Sequence, residues 1–160
     1  MDHRQSQLAR WTHQQLNALN IYTGTVASLT PVSGDASFRR YFRFCFQATS
    51  VICVDSPPDT ENNPAFVHLS ECFQAQGIRV PEVLAVDYDQ GFMLLSDLGD
   101  DLLLPQLSET TVDEFYAKAM AILPDLMATP VPKEWLPEYD RALLSREMNL
   151  FRDWFCETYL

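Results

Sequence analysis

The chain has 160 residues, of which 47% are hydrophobic and 21% are charged, a composition typical of one globular domain or a piece of a larger protein. Asp and Glu (22) outnumber Lys and Arg (11), and the net charge of -11 argues against binding to nucleic acid or to an anionic membrane. No apolar run reaches the length of a membrane span, and the first residues lack a signal-peptide core, so we expect a cytoplasmic protein.

The first half of the chain predicts a helix, three strands, a second helix and two further strands. The predicted ranges are, in chain order, 4–20, Thr25–Val32, Phe38–Phe46, Ser50–Asp55, Asn63 to about Gln76, Val83–Tyr88 and Phe92–Ser96. Short connections between consecutive strands favour one antiparallel sheet, with the helix after Asn63 packed on it.

Two details of this half follow from local patterns. The second strand alternates, which places Phe38, Phe42, Phe44 and Phe46 on one face and Arg39, Tyr41, Arg43 and Cys45 on the other. Asn63 followed by Pro64 predicts an N-cap and a proline at the first helical position, and Asp89-Gln90-Gly91 predicts a hairpin turn.

After Gly99 the strand patterns stop and helical patterns begin. Thr111-x-x-Glu114 predicts a capping box, and Pro124 should bend or end the helix that follows. A last helix is expected from about Asp140 to Tyr159. The order of elements predicts an α+β fold, in which an α+β lobe precedes the start of a helical unit.

The four cysteines (Cys45, Cys53, Cys72 and Cys156) are scattered and have no spacing typical of a zinc site. We interpret them as buried free thiols and predict no metal site formed by this chain.

The segment Ser33 to Arg43, SGDASFRRYFR, carries the strongest indication of chemistry. Small residues allow backbone N–H groups to approach a phosphate, and arginine donates charge-assisted hydrogen bonds to it. A polar turn followed by a solvated strand face gives the same pattern, so the segment by itself leaves both interpretations open.

A second segment, Phe92 to Asp101 (FMLLSDLGDD), leads from an apolar strand into an acidic stretch where sheet gives way to helices. Such a stretch suits a hinge whose backbone could meet the edge of a planar base. The alternative is an ordinary strand end followed by a surface loop.

Four segments together resemble the bacterial aminoglycoside phosphotransferase-like family. They are SGDASFRRYFR, VDSPP (Val54 to Pro58), VPEVLAVDYDQGFMLLSDLGD and YDRALLSREMNLFRDW. The resemblance covers nearly the whole chain. It is closest to the branch of anomeric sugar kinases, which phosphorylate N-acetylmuramate and N-acetylglucosamine in peptidoglycan recycling.

The resemblance implies a protein-kinase-like N-terminal lobe in residues 1–98 and the start of a helical C-terminal lobe in residues 99–160. It implies ATP with magnesium as cofactor of the full-length parent, and a nucleotide and an amino sugar as its ligands. The implied nucleotide-binding residues are Ser33, Gly34, Asp35, Ala36, Ser37, Arg40, Arg43, Leu95 and Asp97. The implied sugar-facing residues are Asp140, Arg141 and Glu147.

Two departures from the family pattern affect these expectations. The third strand lacks the lysine that usually holds the phosphates, so Arg40 or Arg43 would have to replace it, since only one of Arg39 and Arg40 can face the nucleotide. Glu71, where a lysine-pairing glutamate would be expected, could pair with an arginine or remain solvated.

The second departure concerns the catalytic loop. The family motif HxDxxxxN and a later magnesium-binding Asp are absent, so we expect no catalytic residue here and no turnover by this chain alone. We interpret the chain as the N-terminal part of an ATP-dependent sugar phosphotransferase, whose helices in residues 101–160 could mediate self-association. The alternative is a complete, non-catalytic nucleotide- or protein-binding module, and the reading frame beyond Leu160 would distinguish the two.

Overall fold

The computed structural model describes residues 2–26, 28–32 and 37–160, which form two compact units, residues 1–130 and 131–160. The first unit contains, in chain order, α1 (His3–Ala18), β1 (Thr30–Pro31), β2 (Arg40–Phe46), β3 (Thr49–Asp55), α2 (Asn63–Ala75), β4 (Val83–Asp87), β5 (Phe92–Ser96), a 3₁₀ turn (Leu104–Gln106), α3 (Val112–Ala121) and α4 (Leu123–Ala128). The predicted lobe boundary at residue 98 stays a prediction.

The five strands form a single sheet in the order β1-β2-β3-β5-β4, and every neighbouring pair is antiparallel, as the sequence predicts. Arg43, Ile52 and Leu95 lie opposite one another on β2, β3 and β5, so their side chains share one face of the sheet. Alternate residues of the same strands belong to the other face.

Three predicted strands are shorter in the structure, and of these β4 loses only its last residue, ending at Asp87 instead of Tyr88. Strand β1 is confined to Thr30–Pro31 instead of Thr25–Val32; its last residue, Pro31, has no N–H for a longer ladder. Strand β2 begins at Arg40 instead of Phe38, and the Phe38 side chain is 69% exposed instead of sharing the core with the other phenylalanines.

Helix α1 covers one face of the sheet, here called the helix face. The Asp2 carboxylate accepts the Gln5 N–H at 2.7 Å and caps the helix. Its apolar stripe (Leu8, Trp11 and Leu16) is buried against phenylalanines of the second strand (Phe42, Phe44 and Phe46) and residues of β3 and β5. This face therefore holds the larger of the two apolar cores.

Helix α2 covers part of the opposite face, here called the cavity face. Val67 packs with Val54, Met93 and Leu95 in a smaller apolar core. The N-cap is Asn62, whose side chain accepts the Ala65 N–H at 3.2 Å. The predicted N-cap, Asn63, is instead buried.

The β4–β5 hairpin turns at Gly91, as predicted. Gly91 has φ +69°, and its N–H donates to the Asp87 carbonyl at 2.9 Å. Any side chain at this position would also collide with the Ser56 carbonyl, since its Cβ would lie 2.1 Å from that oxygen. Both the conformation and the close approach therefore require glycine.

The predicted capping box at Thr111 does not form. The Thr111 hydroxyl instead accepts the Ser108 N–H at 2.9 Å and donates to the Gln106 carbonyl at 2.8 Å, while Glu114 pairs with Lys118. Helix α3 ends before Pro124, and α4 begins with that proline in its first turn, as predicted.

The second unit, residues 131–160, consists of α5 (Arg141–Leu150), a π-helical turn (Phe151–Cys156) and α6 (Glu157–Tyr159). Asp140 caps α5 by accepting the Leu143 N–H at 2.8 Å. Three aromatic rings line one side of the π-helical turn and α6. The centroid separations are 5.1 Å for Phe151–Phe155 and 5.6 Å for Phe155–Tyr159. None of the described helices is long and apolar enough to cross a membrane.

The cysteine prediction is partly wrong. Cys53 is fully buried, but Cys45 is exposed on β2 because it alternates with the buried phenylalanines. All four cysteines are free thiols.

Candidate nucleotide site

A cavity of about 330 Å³ opens on the cavity face where β5 ends; we call it the sheet cavity. Its walls come from all three central strands and from the segment after β5, and its lining residues are Val32, Tyr41, Arg43, Ile52, Pro81, Leu95, Ser96, Asp97, Leu98 and Gly99. The volume falls in the range of small-molecule sites, and the lining is mainly apolar with a few polar groups at one edge.

Arg43 fixes the segment after β5 to the sheet. Its Nε donates to Asp97 Oδ2 at 2.5 Å and its Nη1 to Asp100 at 2.6 Å, while the Ser50 hydroxyl donates to Asp97 at 2.7 Å. The Arg43 guanidinium, with help from Ser50 and the Gly99 N–H, lowers the pKa of Asp97 to about 2. The rim of the cavity is therefore a charged, hydrogen-bonded brace at neutral pH.

Arg39 lies on the cavity face beyond Tyr41, where β2 meets the segment that precedes it. Its Nε donates to the Ser56 hydroxyl at 3.2 Å, and its Nη2 is 3.0 Å from the Glu61 carboxylate. Its guanidinium also lies 4.9 Å from the centre of the Phe66 ring on α2, a cation–π distance. These contacts tie the start of β2 to the end of β3 and to α2.

Ser56 and Asn63 form the buried floor beneath Arg39. The Ser56 hydroxyl donates to the Asn63 side-chain carbonyl, and the Asn63 amide donates to the Ser56 backbone carbonyl at 2.8 Å. Both residues are almost fully buried, so this pairing satisfies polar groups that would otherwise destabilise the fold.

Arg40 points to the helix face. Its guanidinium pairs with Asp2 and with the buried Asp55, and Arg4 of α1 donates to the other oxygen of Asp55 at 2.8 Å. The two carboxylates raise the pKa of Arg40 above its usual value. The network fastens α1 to strands β2 and β3 on the side of the sheet away from the cavity.

The structure brings only some of the predicted site residues together. Leu95, Asp97 and Arg43 line the sheet cavity, whereas Arg40 is on the opposite face. Ser33, Gly34, Asp35 and Ala36 lie outside the described residues; Ser37 accepts the Arg39 backbone N–H at 3.2 Å.

The predicted sugar-facing residues all belong to the second compact unit. Asp140 caps α5, Arg141 is the first residue of that helix, and Glu147 pairs with Arg146. Glu71, the other residue with an open assignment, is exposed on α2 and lies 3.8 Å from His68. Their predicted roles stay predictions.

Sequence reasoning did not assign a role to Arg39, although the signal was present. The strand alternation places Arg39 with Tyr41 and Arg43, and Tyr41 and Arg43 both line the cavity. The sequence did not show which face of β2 is covered by a helix. Phe38 continues the apolar alternation of β2 but is exposed, so the pattern alone was misleading.

The described residues suit a planar base and an anionic tail better than they suit a metal ion. The cavity has apolar walls for a base, and Arg39, just before β2 on the same face, carries guanidinium donors for an anion. No group of three or more His, Cys, Asp or Glu side chains that could hold a metal occurs in the described part of the chain, so the described residues do not fit a magnesium ion by themselves.

Comparisons with known proteins give the site its context. N-acetylmuramate/N-acetylglucosamine kinases are similar to this chain. That of Pseudomonas aeruginosa is 38% identical over 163 residues (99% of this chain and 48% of the relative), and that of Pseudomonas putida is 39% identical over 158 residues (96% and 46%). That of Neisseria meningitidis serogroup B is 35% identical over 157 residues (95% and 44%).

The chain spans about half the length of the curated relatives it matches. No solved structure matches it. The model of the phosphotransferase enzyme family matches residues 28–155, which include the whole sheet and the lining of the cavity. Since that match covers most of the sequence, the chain belongs to the phosphotransferase enzyme family.

Proposed function

We propose that this chain is the nucleotide-binding part of an ATP-dependent amino-sugar kinase, of the kind that acts at the anomeric position in peptidoglycan recycling. One observation carries the proposal: a phosphotransferase-family sheet borders an open, mainly apolar cavity beside the backbone of the segment after β5, an arrangement that suits a nucleotide base. The amino-sugar specificity rests on the names of the relatives, N-acetylmuramate/N-acetylglucosamine kinases.

The base would lie over Ile52 and Leu95 on the cavity face and meet the backbone after β5. The Ser96 N–H already donates to the Glu82 carbonyl, and the Gly99 N–H to the Asp97 carboxylate, each at 2.9 Å. The edge of a base would therefore use the N–H of Asp97 or Leu98, in the segment that Arg43 braces. Hydrogen bonds at this edge would orient the base, and the apolar walls would exclude water from it.

The phosphates would extend from the cavity along β2 toward Ser37, and the segment Ser33 to Ser37, of which residues 33–36 lie outside the described residues, is proposed to bind them. The small residues of that segment suit close approach of backbone N–H groups to phosphate oxygens, which remains our proposal for its role. Asp140, Arg141 and Glu147 are proposed to contribute to the sugar side. When bound, ATP supplies the transferable phosphoryl group, and this chain's residues bind and orient it.

We propose further that the 160 residues by themselves do not catalyse phosphoryl transfer. Phosphoryl transfer depends on positioning and on neutralisation of charge by metal and donors, and the sequence has no HxDxxxxN motif to supply a base and a metal ligand. Purified chain incubated with ATP, magnesium and N-acetylmuramate should form no sugar phosphate. Product formed at enzyme-like rates by a preparation free of other kinases would overturn this point.

Nucleotide binding is tested by calorimetric titration of the 160-residue chain with ATP. Ile52→Trp fills the cavity and should abolish binding, while Val86→Trp, at a half-buried position on the same face outside the cavity lining, should leave binding intact. Absence of binding by the unsubstituted chain, or equal affinity of the two variants, would contradict the proposed site.

Self-association through residues 101–160 also remains a proposal. Within the first unit, Met120 and Met127 are 63% and 87% exposed, and in the second unit Trp154 is 73% exposed. Large apolar side chains left in water favour association. Sedimentation should show a concentration-dependent dimer that Met127→Lys weakens; a monomer at all concentrations would contradict it.

A further inference from the structure

We propose that Arg39 is the residue that binds the nucleotide's phosphates, in place of the lysine that the third strand lacks. The inference rests on the proposed nucleotide site and goes beyond it, since it names the phosphate ligand and excludes the two neighbouring arginines from that role. Three independent observations carry it: the face that Arg39 occupies, the charges around it and its connection to α2.

The first observation is position. Arg39, Tyr41 and Arg43 alternate on β2 and on the segment that leads into it, and the last two line the sheet cavity. Arg39 lies about 13 Å from Arg43 along the strand, because an extended chain advances about 3.3 Å per residue. If the base of a nucleotide occupies the cavity and its phosphates follow the strand, those phosphates would reach Arg39.

The second observation is charge. Arg43 faces two carboxylates, Asp97 and Asp100, so a phosphate arriving there would meet their negative charge. Arg40 also faces two carboxylates, Asp2 and Asp55, and lies on the wrong side of the sheet.

Arg39 has one carboxylate partner among the described residues, Glu61. That carboxylate and the Ser56 hydroxyl use two of the five guanidinium N–H donors. Donors therefore remain for a phosphate, and a guanidinium matches phosphate oxygens in a bidentate geometry.

The third observation is the link to α2. In protein kinases a strand lysine holds the phosphates and pairs with a glutamate on a helix packed against the sheet. Here Arg39 pairs with Glu61, just before α2, and its guanidinium stacks on Phe66 within α2. Together these contacts connect the start of β2 with α2, as the lysine–glutamate pair connects sheet and helix, with the cation supplied by the residue just before β2.

Glu61 also fixes the backbone beside Arg39, because its carboxylate accepts the Phe38 N–H at 3.1 Å. The Glu61 carboxylate thus contacts both the Arg39 side chain and the backbone N–H of Phe38. The Arg39 side chain is 18% exposed and Glu61 is 12% exposed, so the guanidinium is pre-positioned and yet remains accessible at the surface of the cavity face.

The test compares ATP with adenosine, each titrated calorimetrically into the 160-residue chain. Arg39→Ala should lower the affinity for ATP by about 10- to 100-fold, the effect of one charge-assisted contact, and should leave the affinity for adenosine within about twofold. Arg39→Lys should recover part of the ATP affinity. Arg79→Ala, at an exposed arginine outside the cavity lining, should change neither affinity.

Each outcome separates this inference from the proposed function. Unchanged ATP affinity in Arg39→Ala, with adenosine bound normally, would overturn the role of Arg39 and leave the nucleotide site standing. An equal loss for adenosine and ATP would also overturn it, because it would show a general effect on the fold. Failure of the unsubstituted chain to bind either ligand would overturn the proposed function and this inference together.

Discussion

The two faces of the sheet differ in what fills them, although the same strands form both. The helix face is closed by α1 and packed with aromatic rings, including Trp11 and Phe92 with centroids 5.9 Å apart. The cavity face is covered only in part by α2 and keeps an open space of about 330 Å³ beside β5. One face is therefore occupied by the protein itself, and the other leaves room for a ligand.

Arg40 and Arg43 of β2, with Arg39 just before it, show how one strand contributes to both faces. Arg40 is directed to the helix face, where the buried Asp55 also pairs with Arg4 of α1. Arg39 and Arg43 are directed to the cavity face, where Arg43 braces the rim. Three arginines within five residues thus have separate tasks, because a strand turns successive side chains to opposite sides.

The largest expected effect is the loss of stability when a side chain of the helix face is removed. Phe44 is 3% exposed within the aromatic core, so Phe44→Ala should lower the free energy of unfolding by about 3–5 kcal/mol. Phe38→Ala removes the same side chain from a position that is 69% exposed and should change stability by less than about 0.5 kcal/mol. Urea unfolding followed by tryptophan fluorescence measures both.

Equal losses from the two phenylalanine variants would show that the core does not lie where the structure places it. A loss from Phe44→Ala below about 1 kcal/mol would contradict the helix face as the main source of stability.

A smaller effect is expected from the buried carboxylate of the helix face. Asp55→Asn weakens two arginine contacts and should lower the free energy of unfolding by about 1.5–3 kcal/mol, because hydrogen bonds to charged groups contribute about that much. ATP affinity, measured under conditions where the variant is folded, should change by less than about threefold. A selective loss of ATP affinity at full stability would place Asp55 in the ligand site instead.

The cavity rim should show its own pH dependence. Arg43 lowers the pKa of Asp97 to about 2 from an ordinary value of 3.8, so its contribution to stability is complete above pH 4 and is lost as pH falls toward 2. The difference in unfolding free energy between the unsubstituted chain and Asp97→Asn should therefore shrink by about 1–2 kcal/mol over that interval. A difference that stays constant from pH 4 to pH 2 would contradict the Arg43–Asp97 brace.

The smallest effect concerns thiol reactivity. Burial raises the pKa of the Cys53 thiol to about 12, with a partial offset from the Thr12 hydroxyl, whereas Cys45 is exposed. Alkylation of the native chain at pH 8 should therefore modify Cys45 well before Cys53, and urea should abolish the difference. Peptide mass spectrometry assigns the modified cysteine, and rapid native labelling of Cys53 would show that the helix face opens.

The sequence predicts the elements of the sheet because their patterns are local. Alternation identifies β2, and Gly91 between two apolar runs identifies the hairpin. The sequence prediction fails where a tertiary contact determines the local structure. Asn63 has the local pattern of an N-cap but is drawn into a buried pair with Ser56, so Asn62 caps α2 instead.

The candidate site was predictable in part for the same reason. The family resemblance implied Leu95 and Asp97, which lie where a strand gives way to an acidic segment, and both line the cavity. The choice among the clustered arginines depends on carboxylates far away in sequence, at Asp2, Asp55 and Asp97, which no local pattern reveals.

We propose that one face of the sheet binds a nucleotide while the other serves only the fold. Amide hydrogen exchange of the 160-residue chain with and without saturating ATP tests it most directly. We expect ATP to slow exchange in the segment Ser96–Gly99 and at the adjoining end of β5, and to leave α1 (His3–Ala18) unchanged. Protection confined to α1, or no change at Ser96–Gly99 with ATP bound, would contradict the account.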